Sequence, residues 1–158
     1  MTLWFTAMAA TALIAGASPP PAAYLAPCPS GISGGLDAGY ERDSLVVGPL
    51  ALYEAGQYGR YPGLDSVATV RAGHAVTLAV APEDRTHAAL LYDHRAFVHA
   101  GHGYTVADGD SAITLRGCTA PFTEYVGGFV LDGPRRVTLE AWVDGAAEPV
   151  RRVVPFGG

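Results

Sequence analysis

Ala75-Val76-Thr77-Leu78-Ala79-Val80 puts Val76, Leu78 and Val80 on one face of an extended chain and Ala75, Thr77 and Ala79 on the other. Side chains alternate across a strand with a period of two, so this hexapeptide reads as a half-buried β-strand. Val137 to Val143 repeats the pattern, with Val137, Leu139, Ala141 and Val143 opposing Thr138, Glu140 and Trp142. Similar segments recur at Leu45–Val47, Leu50–Tyr53, Ser66–Val70, His74–Val80, His87–Tyr92, Tyr104–Ala107, Ser111–Gly117, Tyr125–Leu131 and Val150–Val154. The first two read equally as one strand interrupted at Pro49. No stretch keeps an apolar stripe at helical spacing for three turns.

Asp108-Gly109, Asp132-Gly133 and Asp144-Gly145 punctuate the second half as tight turns would, and without asparagine Asp-Gly takes the place of Asn-Gly. Gly127-Gly128 entering an apolar segment predicts a bulge or a close backbone approach. A single sheet would leave one apolar face wet. The expected fold is therefore all-β: a two-sheet antiparallel sandwich of about eight to ten short strands, with a small β-barrel as the alternative.

The chain has 158 residues, 49% of them apolar, and a mean hydropathy of +0.20, enough for one core and too short for two. With 15 acidic and 10 basic residues the formal charge is -5, and the only adjacent basic pairs are Arg135-Arg136 and Arg151-Arg152. Binding nucleic acid draws on a concentrated basic footprint that displaces counterions from phosphates, so no nucleic acid partner is expected. Every basic residue is arginine and asparagine is absent, which points to a GC-rich coding genome.

Leu3 to Ala17 is an almost unbroken run of small apolar residues, and the first charged side chain is Asp37. Ala15-Gly16-Ala17 supplies the small residues of a signal peptidase site, although the usual positive n-region is missing. As a helix the run would rise about 22 Å, short of a hydrocarbon core of roughly 30 Å. Residues 1–17 are thus expected to be a signal peptide cleaved before Ser18, with an uncleaved apolar anchor as the alternative. Membrane contact is expected only through this segment. Four prolines between Ser18 and Pro27 disfavour a helix or a central strand. Residues 18–43 read as a Pro/Gly-rich tether and residues 44–158 as the folded domain. Leu25-Ala26-Pro27-Cys28 has the leucine spacing of a lipoprotein signal, but Pro27 and the distance from the apolar run speak against lipidation.

Cys28 and Cys118 are the only cysteines. Export would carry both into an oxidising compartment, where an even count favours a bridge over two free thiols. Closing a loop of that length stabilises by roughly 4 to 5 kcal/mol on the chain-entropy model.

Four histidines, His87, His94, His99 and His102, fall between residues 87 and 102 beside Asp93. Converging imidazoles suit zinc or copper, and His94, His99 and His102 are the candidate ligands. The His-Glu-x-x-His spacing is missing, so surface histidines are the stronger expectation and no cofactor is assigned. Ser66 and Ser111 lack the glycines of a nucleophile elbow, which leaves a hydrolase as a distant alternative. Tyr53, Tyr58 and Tyr61 flank the Gly/Pro-rich stretch 56–63, and Trp142 falls on the polar face of its strand. These aromatics are a candidate binding surface; structural packing is the competing reading.

Gly48-Pro49-Leu50, Val76-Thr77-Leu78, Leu91-Tyr92, Cys118, Gly127-Gly128-Phe129-Val130 and Gly133-Pro134-Arg135 together resemble a group of uncharacterised secreted or membrane-attached actinobacterial proteins. The resemblance covers roughly residues 45 to 158 and implies an exported β-rich domain without known catalytic residues. Members often carry a further cysteine directly after Gly-Pro-Arg, where this chain has Arg136, so Cys118 here pairs with Cys28 or stays free. The functional expectation is a secreted or surface-associated non-enzymatic domain that meets an envelope protein or glycan. A metal-binding domain is the alternative.

Overall fold

The computed structural model describes residues 20–28, 44–53, 55, 66–92 and 103–157. Ten strands lie among them: β1 (Tyr24–Leu25), β2 (Ser44–Val47), β3 (Leu50–Tyr53), β4 (Ser66–Arg71), β5 (Ala75–Val80), β6 (Ala88–Tyr92), β7 (Ala112–Arg116), β8 (Phe122–Leu131), β9 (Arg135–Val143) and β10 (Val150–Phe156). They form two open five-stranded sheets, in the orders β1-β7-β5-β9-β10 (sheet A) and β2-β3-β4-β8-β6 (sheet B). The expected two-sheet sandwich is the fold, and it is not closed into a barrel. Every neighbouring pair is antiparallel except β1, which runs parallel to β7 through Tyr24↔Ile113 and Leu25↔Thr114.

The alternation read in the sequence sets the core. Val76, Leu78 and Val80 of β5 and Val137, Leu139 and Ala141 of β9 are all buried on the inner face of sheet A. Against them sheet B turns Leu50, Leu52, Ala68, Val70, Leu90, Tyr92 and Phe129. Burial of such side chains is the main favourable contribution to folding, about 1.5–3 kcal/mol for each large one.

Three local outcomes differ from the sequence reading. Tyr104–Ala107 is not a strand: Val106–Asp108 is a 3-10 turn, because the Thr105 amide and hydroxyl both donate to Asp108 Oδ2, at 2.7 and 2.8 Å. A local side-chain acceptor thus displaces the ladder. Residues 45–53 are not one interrupted strand, since β2 and β3 form a hairpin (Val47↔Leu50) around Gly48-Pro49. Gly48 takes φ +57°, and the fixed φ of proline suits the second turn position. Finally, Tyr24–Leu25, inside the segment read as a tether, is a strand in its own right. Two edge residues between prolines carry no period from which they could have been read.

Asp144-Gly145 behaves as Asp-Gly should. Both residues have positive φ, 50° and 74°, and the Ala146 amide donates to the Val143 carbonyl at 2.9 Å. Gly127-Gly128 resolves as a close approach without a bulge, because the register across it is continuous. A Cβ on Gly127 would overlap the Leu91 carbonyl oxygen and the Tyr92 Cα.

Gly117 is the second tight point. Past β4 and β7 the chain crosses between sheets, and the two crossings touch in a parallel bridge, Ala72↔Gly117. A Cβ there would overlap the Arg71 carbonyl oxygen, a backbone atom that cannot swing away. Gly117→Ala is therefore expected to destabilise by about 3 kcal/mol. Gly133→Ala, with nothing within 4 Å of its Cβ, should stay within about 0.5 kcal/mol. Urea denaturation of the two variants beside the parent protein measures the contrast, and equal effects would contradict the close approach.

Candidate functional site

Cys28 and Cys118 are joined in a disulfide with a Cα–Cα separation of 6.2 Å, within the ordinary range for such bonds. This settles the choice between bridge and free thiols. It also rules out lipidation at Cys28, whose sulfur is already committed. Cys28 is exposed and Cys118 half-buried, so the bond sits at the surface where β7 ends. A disulfide there fits an extracellular or otherwise oxidising location.

The surroundings hold both half-cystines in place. The Cys118 amide donates to Thr123 Oγ1 at 2.7 Å, fixing the β7–β8 crossing. Tyr125, buried on the inner face of β8, donates its hydroxyl to the Arg116 carbonyl at 2.8 Å and accepts the Arg116 amide at 3.3 Å. Its oxygen lies 3.9 Å from Cys118 Sγ. One phenol thus pins sheet B to the end of β7 in sheet A. On the Cys28 side, the Ala26 amide donates to the Thr114 carbonyl at 3.0 Å, and Ala26 is completely buried in the core.

The candidate aromatic surface divides. Tyr53 lies on the outer face of sheet B, half-buried at the end of β3. Trp142 lies on the outer face of sheet A, opposite Thr77, and is only 3% exposed. It packs with Ala79 and Ala112, and Ala23 of the leader closes over this cluster. Its indole N–H is buried without a hydrogen-bond partner. Tyr53 and Trp142 therefore face opposite sides of the sandwich and form no common surface. Tyr58, Tyr61, His94, His99 and His102 lie outside the described residues. Among the described residues no cluster of three or more metal-ligating side chains occurs.

His87 has a structural partner. Its Nδ1 sits 2.6 Å from Asp132 Oδ2, clipping the β5–β6 connection to the β8–β9 turn. Arg135 Nε lies 3.3 Å from the other carboxylate oxygen, near enough for charge attraction but out of line for a hydrogen bond. At the other end of the sandwich His74 Nδ1 is 2.8 Å from Asp144 Oδ2, and the Ala75 amide donates to Asp144 Oδ1 at 2.9 Å. The hydrogen bond with His87, helped by the Arg135 charge, holds the Asp132 carboxyl below its usual value. The Ala75 amide, then His74, does the same for Asp144.

Ser66 is 3% exposed; it donates to the Tyr53 carbonyl at 2.7 Å and lies 3.3 Å from the Tyr92 hydroxyl. Its hydroxyl is committed to the core. Ser111 is exposed, and its carbonyl accepts the Val80 amide at 2.9 Å. The sequence offered no sign that Thr123 and Tyr125 would meet backbone groups of Cys118 and Arg116. For Asp132 and Asp144 the Asp-Gly turn signals were legible, but not the histidines they meet.

No known family model matches the chain, and no curated protein or solved structure is significantly similar to it. Among the described residues no helix is long and apolar enough to cross a membrane.

Two outcomes follow from this geometry. Tyr125→Phe removes both part-buried bonds to Arg116; a loss of about 1 kcal/mol is expected in urea denaturation, and an unchanged midpoint would refute the pin. A carboxyl depressed in the folded state contributes stability that is present above its unfolded value and lost as pH falls through its folded one. Asp132→Asn and Asp144→Asn should therefore lower stability at neutral pH and flatten its decline below about pH 4, read as melting temperature against pH.

Proposed function

We propose that the protein is an exported, non-enzymatic domain of the cell envelope or extracellular space, whose role is to present a surface to an envelope protein or glycan. The observation that carries the reading is the Cys28–Cys118 disulfide, which ties the segment following the apolar leader onto the sandwich. A bond of this kind persists in oxidising compartments and is rare where thiols are kept reduced. Export through residues 1–17, with cleavage before Ser18, would deliver both cysteines there. The resemblance to secreted and membrane-attached actinobacterial proteins supports the same placement. The commitment of the Ser66 hydroxyl and the His87 imidazole to structural partners supports a binding role over a catalytic one.

Expression of the full chain in a bacterium, followed by fractionation and intact mass measurement, tests this. The expected product lies outside the cytoplasm, begins at Ser18 and gains about 2 Da on reduction, as two sulfurs take up two protons and two electrons. A cytoplasmic product with both thiols free would overturn the reading.

A further inference from the structure

We propose that the Cys28–Cys118 disulfide is a redox latch: closed, it holds residues 23–28 along the outer edge of β7, and its reduction frees that segment while the two sheets stay folded. The leader buries little of itself. It pairs with β7 at Tyr24 and Leu25, the Ala26 amide donates to the Thr114 carbonyl, and of residues 23–28 only Ala26 is fully buried. Tyr24 and Ala23 are only partly buried. Among the described residues every other buried core residue belongs to β2 or to later parts of the chain, so undocking the leader leaves that core nearly complete. Segments with so few buried contacts open independently of the global fold.

The bridge supplies what these contacts lack. Cys28 lies 90 positions from Cys118 in sequence, and the next described residue, Ser44, comes 16 positions later (44 − 28). With the bridge intact, Leu25 is never more than a few residues from its seat beside Thr114. Without it, the segment is held at its seat by non-covalent contacts alone. Opening also relieves a cost of the closed state. Ala23 caps the Trp142 cluster, where the indole N–H is buried without a partner; once the cap lifts, water can reach it. Cys28 is an exposed residue, which a small dithiol can approach. One thiolate attacks Cys28 Sγ and Cys118 leaves as thiolate. The reagent's second thiol then displaces Cys28, closing the reagent to a cyclic disulfide. Its two protons and two electrons end on the two cysteines.

Amide hydrogen exchange on the full chain, with and without a dithiol, tests the latch. Reduction should speed exchange at Ala26 at least tenfold and leave the β5 and β9 amides unchanged. In a Trp4→Phe background the emission of Trp142 should move to longer wavelength. The Cys28→Ser, Cys118→Ser double variant should reproduce both effects without reagent. Equal protection of Ala26 in both states would overturn the proposal. So would joint loss of protection in β5 and β9, or failure of the double variant to fold, either of which would make the bridge a staple of the whole domain. Neither outcome bears on whether the protein is exported.

Discussion

In sheet B the closest constraint on side-chain choice falls at Gly127, where neighbouring backbone leaves no room for a Cβ. β4 pairs with the first half of β8 and β6 with the second, on opposite sides, and the two ladders meet where Ser66 and Tyr92 both lie across from Gly127. At this position β6 comes so near that a Cβ would overlap the Leu91 carbonyl oxygen and the Tyr92 Cα, so only glycine fits. The Tyr92 ring covers the gap, reaches Ser66 through its hydroxyl and meets Phe129 edge-on at 6.1 Å. A glycine in a strand is a weakness, and here an aromatic from the neighbouring strand compensates for it.

From that position the inter-sheet contacts radiate at strand spacing. Two residues after Gly127, Phe129 packs on Phe156 of β10 with ring centroids 5.0 Å apart. Two residues before it, Tyr125 reaches the end of β7. The inner face of β8 therefore touches both flanks of sheet A, β10 on one side and β7 on the other. Cys118 lies just beyond the β7 end that Tyr125 fixes, so the disulfide adds a covalent bond to a corner already ordered by hydrogen bonds. The half it secures is the leader, the segment with the least packing of its own.

Alternation made β5 and β9 legible because apolar and polar residues alternate along most of each, and the structure buries Val76, Leu78, Val80, Val137, Leu139 and Ala141. The same reasoning placed Trp142 on a polar face, where the residue indeed points, yet it is buried. Periodicity assigns a side of a strand; it does not say whether another segment covers that side, and Ala23 does so here from far along the chain. Nor does it say which sheet a strand joins, so Tyr53 and Trp142 looked like members of one surface and lie on opposite ones. The cysteine pair was legible from its even count and the expectation of export. Tyr125 was not, because its role depends on a backbone carbonyl nine positions away in the other sheet.

The β5–β9 ladder at the centre of sheet A is where register matters most, since a slip by one residue would turn Leu139 outward and Trp142 into the core. Apolar alternation alone tolerates a slip by two. The ends of the ladder remove that freedom. At one end Asp144 accepts the Ala75 amide and meets His74. At the other, Asp84 Oδ2 accepts the Thr138 amide at 2.8 Å and the Ala81 amide donates to the Thr138 carbonyl at 2.9 Å. The Asp144–His74 pair is solvent-exposed and, as a surface contact, adds little stability. Its value lies in selection: a two-residue shift would break the contacts at both ends together while leaving the core alternation intact. The apolar pattern thus specifies which faces meet, and a few carboxylates in the turns specify where along the strands they do.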